Sequence, residues 1–495
     1  MWKKLWRISS LKYIAAFLIP AIFVMLINQG LDNDSWYVLA EGRYIAENGI
    51  YYTDVLSMHD GLNVVVQNYG FAVIFYWIFS VFGAPGIYTM MLILNFLICY
   101  LLYKICMTIS DKNTNLSLAI MIVTDLVFGL GFVVTRAQMV SYVIFLALIL
   151  ILELYIKNKK TKYLWWIPVL SIIQINLHAS LWLMLFLVMI TYIIDSVNKL
   201  KLKLQGYKTW PLVVVGAISF LVGLINPYGI RMMTFVIPSY SNPVLKNLVV
   251  ELEFFSPFSS MSEAVICISI VVVSFLCVFA KKRKIRIRYF LMFFGFLVLG
   301  LNTVKSLGQF ILVMFFPLAY LYKDIRIERV IYAQKARNVV CIWCSLLTIC
   351  LSAVLLFVVN SSIKAEPDDY LVAAVDAIDS DIIKKEEGTY KAYTVYTGYN
   401  DGGYLEYRGY KPYIDPRGEY FIEKVNGKED ILKEYVDFMS GKITIDEMLD
   451  KYNFDYVLIN GENDSFYHWD SKRCEELYNN EEHEIRVCKI IKEKE

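Results

Sequence analysis

Over the first 360 residues the apolar positions come in long runs, and only beyond them do apolar and polar residues interleave at short spacing. A helix needs roughly 20 consecutive apolar residues to cross a hydrocarbon core of about 30 Å. Such runs fall at 11–28, 86–107, 116–134, 137–156, 163–178, 180–195, 210–226, 262–280, 289–304, 306–322 and 339–360, which predicts about eleven membrane helices. A further apolar stretch at 64–83 either crosses or lies flat. Beyond 360 the pattern predicts amphipathic helices at 367–379 and 429–439, strands at 392–396 and 456–459, and a turn at Asn426-Gly427. The expected architecture is therefore an all-α polytopic membrane domain over 1–360, with a first outer loop at 29–85. A small α/β extracytoplasmic domain follows over 361–495, long enough for a core of its own.

Composition agrees with a membrane protein. Hydrophobic residues make up 57% of the 495 positions, charged residues 19%, and the mean hydropathy is +0.49. Soluble chains carry about 45–50% apolar and about 25% charged residues. A net charge of +2 supplies no field for a polyanion, so nucleic acid is excluded as a partner.

The placement of the cations decides the fate of 64–83. If that stretch lies in the outer interface without crossing, the inner segments hold Lys3, Lys4, Arg7 and Lys12, then Lys104 and Lys112, then the lysine clusters at 157–162 and 199–208. The basic run at 281–288 and the cations at 323–337 fall on the same side. Outside, before the tail, stand only Arg43, Arg136, Arg231, Lys246 and Lys305. Basic residues concentrate in cytoplasmic loops, so the N-terminus reads as inside and the tail as outside. Were 64–83 to cross, every later loop would change sides and the asymmetry would vanish. The opening MWKKLWR has the look of a signal peptide, but no small-residue cleavage site follows, and 11–28 reads as an uncleaved span. Most cysteines sit in apolar runs as small hydrophobes, including the Cys341/Cys344 pair. Cys474 and Cys488 lie in the tail, where spacing alone does not fix a disulfide.

Sidedness gathers the polar residues of interest. The first outer loop brings Asp32, Asp34, Asp54, His59 and Asp60 to the outer surface, with a helix expected from Trp36 to Asn48 and stopped by Gly49. Asp34 then has a plain structural reading as the N-cap of that helix. Arg136, His178, Glu251, Glu253 and Lys305 fall at the same face. Each has a structural reading too: Arg136 and Lys305 as snorkelling cations, His178 as a satisfied buried histidine. Together an acidic loop, two cations and a histidine suit chemistry on an anionic, lipid-linked substrate. No phosphate-binding glycine loop, HExxH or GxSxG competes.

The stretch DNDSWYVLAEGRYIAENGIYYTDVLS resembles the first-loop signature of bacterial GT-C superfamily glycosyltransferase-like membrane proteins, matching at Asp32, Asp34, Trp36, Gly42, Arg43, Gly49 and Asp54 among others. NLHAS at 176–180, NPYG at 226–229 and ELEFFSP at 251–257 are similar to later motifs of that family, as are DGGYLEYRGYKPYIDPRGEY and FDYVLI in the tail. The resemblance implies transfer of a sugar from a polyprenyl-phosphate donor to a cell-envelope glycan, lipid or protein acceptor at the outer face of a bacterial cytoplasmic membrane. It makes Asp34 the catalytic carboxylate with Asp32 as its partner. Arg136, His178 and Lys305 become the donor-phosphate residues, and Asp54, Glu251 and Glu253 further acidic candidates. It admits a divalent cation (Mg²⁺ or Mn²⁺) on the loop carboxylates, and it fits 64–83 as a juxtamembrane helix. The chain departs from the pattern where Tyr37 and Val38 replace Trp-His and where Gln67, Asn68, Tyr69 and Gly70 replace His-Glu-Trp-Leu. These losses leave a non-catalytic relative that binds lipid-linked glycan or a protein partner as the alternative. A transporter is disfavoured, since the spans show no paired repeat of broken helices. Gly402, Gly403, Asp415 and Arg417 read as structural.

The predicted orientation has a direct test. In a cysteine-free background, a cysteine at Asn400 reacts with an impermeant thiol reagent in intact cells and one at Arg283 does not. The reverse pattern inverts the topology.

Overall fold

The computed structural model describes residues 2–27, 30–197, 207–249, 252, 255–256, 261–280, 285–324, 367–383, 393–460 and 472–491. The expected span at 339–360 lies outside the described residues. Helices follow in the order α1 (Trp2–Ile27), α2 (Asp34–Asn48), α3 (Tyr69–Ile109), α4 (Thr114–Gly129), α5 (Gln138–Asn158), α6 (Trp166–Leu177), α7 (Trp182–Val197) and α8 (Trp210–Leu221). Three short helices come next, α9 (Ile230–Thr234), α10 (Val236–Ser241) and α11 (Pro243–Leu248). After them stand α12 (Met261–Val278), α13 (Ile287–Asn302), α14 (Leu307–Met314) and α15 (Phe316–Leu321). The chain packs as two units. The first comprises 1–29, 88–229 and 250–363, the second 30–87, 230–249 and 364–495. The second unit takes in both the first outer loop and the tail.

In the first unit, Gln138–Asn158, Ala179–Val197 and Val304–Leu321 are long and apolar enough to cross a membrane, as is Tyr69–Ile109, whose second arm belongs here. Shorter apolar helices fall at Tyr13–Leu26, Thr114–Gly129, Trp210–Leu224, Glu263–Val278 and Ile287–Asn302. This is a membrane-embedded helical body, and the four clear spans stand where the sequence placed spans. Trp165, Trp166 and Trp210 stand out from it at about three-fifths exposure, near Lys162 and Lys208, as an interfacial aromatic belt does. One cation of the supposed inner loop is not in a loop at all. Arg288 lies buried on α13, its Nε 2.8 Å and Nη2 3.1 Å from the two oxygens of Glu153 on α5, its Nη1 3.0 Å from Asp195 on α7. Tyr192 and Tyr207 donate to the same two carboxylates, so the helices are tied by a fully bonded ion cluster.

Helix α3 breaks at Gly83 (φ 63°), two residues before Pro85. Its first arm, in the second unit, buries Phe71, Ala72 and Phe75 and exposes Ile74, Trp77, Val81 and Phe82. An exposed apolar stripe at that spacing is a face that lipid can cover. Helix α2 crosses this arm at Gly42, where a Cβ would collide with the Ala72 carbonyl. The helix starts at Asp34, two residues earlier than expected, and ends at Gly49 (φ 85°) as expected.

The tail supplies α16 (Asp369–Ile383), β1 (Thr394–Tyr396), α17 (Gly402–Arg408), β2 (Lys411–Pro412), α18 (Glu423–Asn426), α19 (Ile431–Met439), α20 (Ile445–Lys451), β3 (Tyr456–Asn460), β4 (Cys474–Asn480) and β5 (Ile485–Ile490). The sheet order is β2-β1-β3-β5-β4, with β1 parallel to β2 and β3, and β5 antiparallel to β3 and β4. Central β3 is a buried apolar run, and the edge strand β4 carries Glu475, Glu476, Asn479 and Asn480, which protects the open edge. Cys474 and Cys488 form a disulfide between β4 and β5.

Gly42→Ala tests the α2–α3 crossing. A methyl group there must push two backbones apart, and overpacking of this kind costs about 1–3 kcal/mol. The full-length variant in detergent is expected to melt several degrees below wild type. An unchanged melt means the helices do not meet at Gly42.

Candidate functional site

The second unit is organised around a buried guanidinium. Arg417 sits two residues after Asp415 and pairs with it through Nε (2.9 Å) and Nη2 (2.7 Å). The same guanidinium reaches Glu406 on α17, Asp54 at 3.2 Å and Glu41 on α2 at 3.6 Å. All five side chains are at most 2% exposed. One cation cannot balance four buried carboxylates, so some must hold protons. Desolvation pushes Glu41 to about 7 against the pull of Arg417 and the Tyr51 hydroxyl, and pushes Glu406 well above the carboxylate range. Asp54 moves the other way. Burial opposes its charge, but Arg417 and the bonds from Leu56 and Ser57 outweigh burial and hold it below its usual value. Asp54 is thus a structural ion whose oxygens are committed to Arg417 and to the N–H groups of Val55 and Ser57. Asp415 and Arg417 brace the loop after β2 as the sequence suggested.

This cluster fixes α2 against α17. Gly403 stands against the backbone of Tyr37, with room for no more than a tight Cβ. Arg43 donates from Nη2 to the Tyr407 carbonyl at 2.9 Å, a cation placed at the C-terminal end of α17. Trp36 packs edge-on to Tyr404. His59 meets the Tyr413 carbonyl at 2.8 Å, so it is a packed residue whose ring burial holds below its usual pKa.

The first turn of α2 is where the predicted catalytic carboxylates stand. Asp34 is the first helical residue and not the cap. Asn33 occupies the N-cap with no side-chain bond, and the Asp34 N–H donates 3.0 Å to Asp32 Oδ1. Asp34 is half-buried, and its charge acts on Tyr399 together with Glu419 and Asp415. Desolvation first, then these carboxylates, raise the Tyr399 phenol well above its ordinary value, and its hydroxyl donates to the Pro416 carbonyl at 2.9 Å. Glu419 also accepts from Gln67 Nε2 at 2.6 Å. Sequence reasoning passed over Glu419 and Tyr399, although Glu419 lies inside the quoted DPRGEY motif. Their proximity to Asp34 is a tertiary fact with no local signature.

All three predicted phosphate residues belong to the first unit, where Lys305 and His178 come within electrostatic reach of each other. Lys305, on a short turn of 3₁₀ helix, lines a cavity of about 150 Å³ with Gln138, Tyr142, Glu263, Phe132 and Leu307. Arg136 is half-buried just before α5, and its carbonyl accepts from the Met139 N–H at 3.2 Å. His178 is buried with both ring nitrogens engaged, Nδ1 to Ser141 at 2.8 Å and Nε2 to Ser180 at 2.7 Å. Glu251 and Glu253 lie outside the described residues. Among the described residues no three His, Cys, Asp or Glu side chains converge on a point that would hold a metal ion. Those carboxylates therefore do not by themselves fit the Mg²⁺ or Mn²⁺ that the resemblance admits.

The protonated carboxyls give the second unit a pH signature. Glu41 titrates near 7 when folded and near 4.5 when unfolded, so its contribution to stability is present at low pH and lost as pH rises through 7. Glu406 works in the same sense. Asp54 works oppositely, but its contribution is lost only as pH falls from the ordinary aspartate value through its lowered one, outside this range. The melting temperature is expected to fall from pH 6 to pH 8, with a shallower fall in Glu41→Gln. A flat wild-type profile would show that these carboxyls are ionised in the folded state.

No protein-family model and no curated protein matches the sequence. Solved structures do match in fold. The Archaeoglobus fulgidus oligosaccharyltransferase in its apo form superposes with a TM-score of 0.59 at 11% identity, over 93% of this chain and 70% of that one. The same enzyme tethered to an acceptor peptide containing the NVT sequon gives 0.58 at 11% identity, over the same shares of each chain. The fold described above is thus shared with that oligosaccharyltransferase at 11% identity.

Proposed function

We propose that the chain is a glycosyltransferase that moves a sugar from a polyprenyl-phosphate-linked donor to a cell-envelope glycan, lipid or protein at the outer face of a bacterial cytoplasmic membrane. The observation that supports this reading is the acidic first turn of α2, where the Asp34 N–H donates to Asp32 Oδ1 at 3.0 Å, within a fold shared with an oligosaccharyltransferase. In the proposed reaction an acceptor O–H bond gives its proton to the Asp34 carboxylate. The acceptor oxygen bonds to the sugar's anomeric carbon, and the bond from that carbon to the phosphate oxygen breaks, its electron pair leaving with the lipid phosphate. General-base assistance of this kind is worth about 10²–10⁴-fold. Asp32, through the Asp34 N–H, holds the turn that aims the base. In the membrane unit, Lys305 and Arg136 offer cations to the departing phosphate, and fixed cations stabilise such developing charge. His178, held between two serines, keeps the wall beside Lys305 in place.

The test is sugar transfer from radiolabelled polyprenyl-phosphate donors in membranes carrying each variant. Asp34→Asn keeps the shape and removes the charge, so transfer is expected to fall about 10²–10⁴-fold with an unchanged melt. Lys305→Gln is expected to raise the KM for donor more than it lowers kcat. Full activity in Asp34→Asn moves the base to another carboxylate, with Glu419 next in line. No wild-type activity with a broad donor panel leaves the chain as a non-catalytic binder of lipid-linked glycan.

A further inference from the structure

The first unit contains an acidic side chain that none of this chemistry uses. Asp125 lies on α4, fully buried, about 15 Å along the helix axis from its first turn at 1.5 Å rise per residue. Its Oδ2 accepts from Asn95 Nδ2 on α3 at 3.3 Å, and the buried thiol of Cys99, one turn further along α3, interacts with the same carboxyl. No cation among the described residues pairs with it. Helices α1, α12, α14 and α15 also pack on α4. Tyr13 on α1, Glu263 on α12 and Tyr320 on α15 are ionisable groups on those elements, and none of them acts on Asp125. Two polar atoms of the bonded pair, Asp125 Oδ1 and Asn95 Oδ1, have no hydrogen-bond partner among the described residues. Both side chains are 2% exposed or less.

Two physical constraints act on such a group. An isolated carboxylate in an apolar medium is so costly that it takes up a proton instead. In a bilayer the protein's apolar surroundings continue into lipid, so the nearest high-dielectric medium lies many ångströms away. A protonated carboxyl then has an O–H to donate, while Asn95 Oδ1 still lacks a partner. Buried polar groups left in this state are bridged by ordered water, which needs two to four polar neighbours. A helix-to-helix bond from Asn95 alone would explain Oδ2 but leave the other atoms unaccounted for. We infer that Asp125 carries a proton in the folded protein and that the α3–α4 seam is an intramembrane site for that proton and a bridging water.

Infrared spectroscopy of the full-length protein in membranes reads this directly at pH 7.5. The difference spectrum of wild type minus Asp125→Asn is expected to show the carbonyl stretch of a protonated carboxylic acid, shifted in D₂O. Acid bands from carboxyls common to both chains cancel. If Asp125→Asn fails to fold, the unmutated chain with aspartate labelled by ¹³C at the side-chain carboxyl gives the same answer, because an acid band from Asp125 moves on labelling. An observed acid band that responds to either change supports the inference. Carboxylate bands in its place would overturn it.

Discussion

A guanidinium keeps its proton at any pH a protein meets, so the burial of Arg417 dictates what surrounds it. Taking each ion out of water costs several kcal/mol, and only close, well-directed partners offset that. Here the partners come from separate stretches of chain: Glu41 from α2, Asp54 from the loop after it, Glu406 from α17, and Asp415 from the same turn as Arg417. The acidic loop and the tail therefore cannot be treated as independent modules. Their mutual position is set by five side chains that all need one another, and the first turn of α2 takes its place against Tyr399 and Glu419 as a result.

A second guanidinium does comparable work in the membrane unit. Arg288 joins α5, α7 and α13 through Glu153 and Asp195, with tyrosines taking up remaining lone pairs. Each unit thus has one buried arginine at a junction of elements distant in sequence. In each, replacing the arginine would leave carboxylates buried without a counter-charge, a change that destabilises by about 3–5 kcal/mol.

Much of the fold was legible because hydrophobic period is a local property. The tail helices at 367–379 and 429–439 and the strands at 392–396 and 456–459 appear within a few residues as α16, α19, β1 and β3. The stop at Gly49 followed from glycine's freedom at positive φ. What could not be read were consequences of long-range packing. Arg288 looked like one more cation in a basic run, because burial leaves no mark on its neighbours. Asp34 looked like a cap because the sequence shows an acidic residue before a helix but not which of Asp32, Asn33 and Asp34 starts it. Asp54 looked like a spare carboxylate because its partner is 363 positions away. Glu419 and Tyr399 were missed for the same reason, and His178 looked available because Ser141 and Ser180 lie on different elements.

That separation has a consequence for biogenesis. Ribosomes add about 5–20 residues per second, so the segment holding Glu41 and Asp54 emerges roughly 20–70 s before Arg417 is made. During that interval the loop stands with its acidic groups hydrated and the inner face of α2 uncovered. It cannot settle into its final packing until the last quarter of the chain arrives. A truncated or stalled chain would therefore display an unfinished surface, which housekeeping proteases can distinguish from the completed protein.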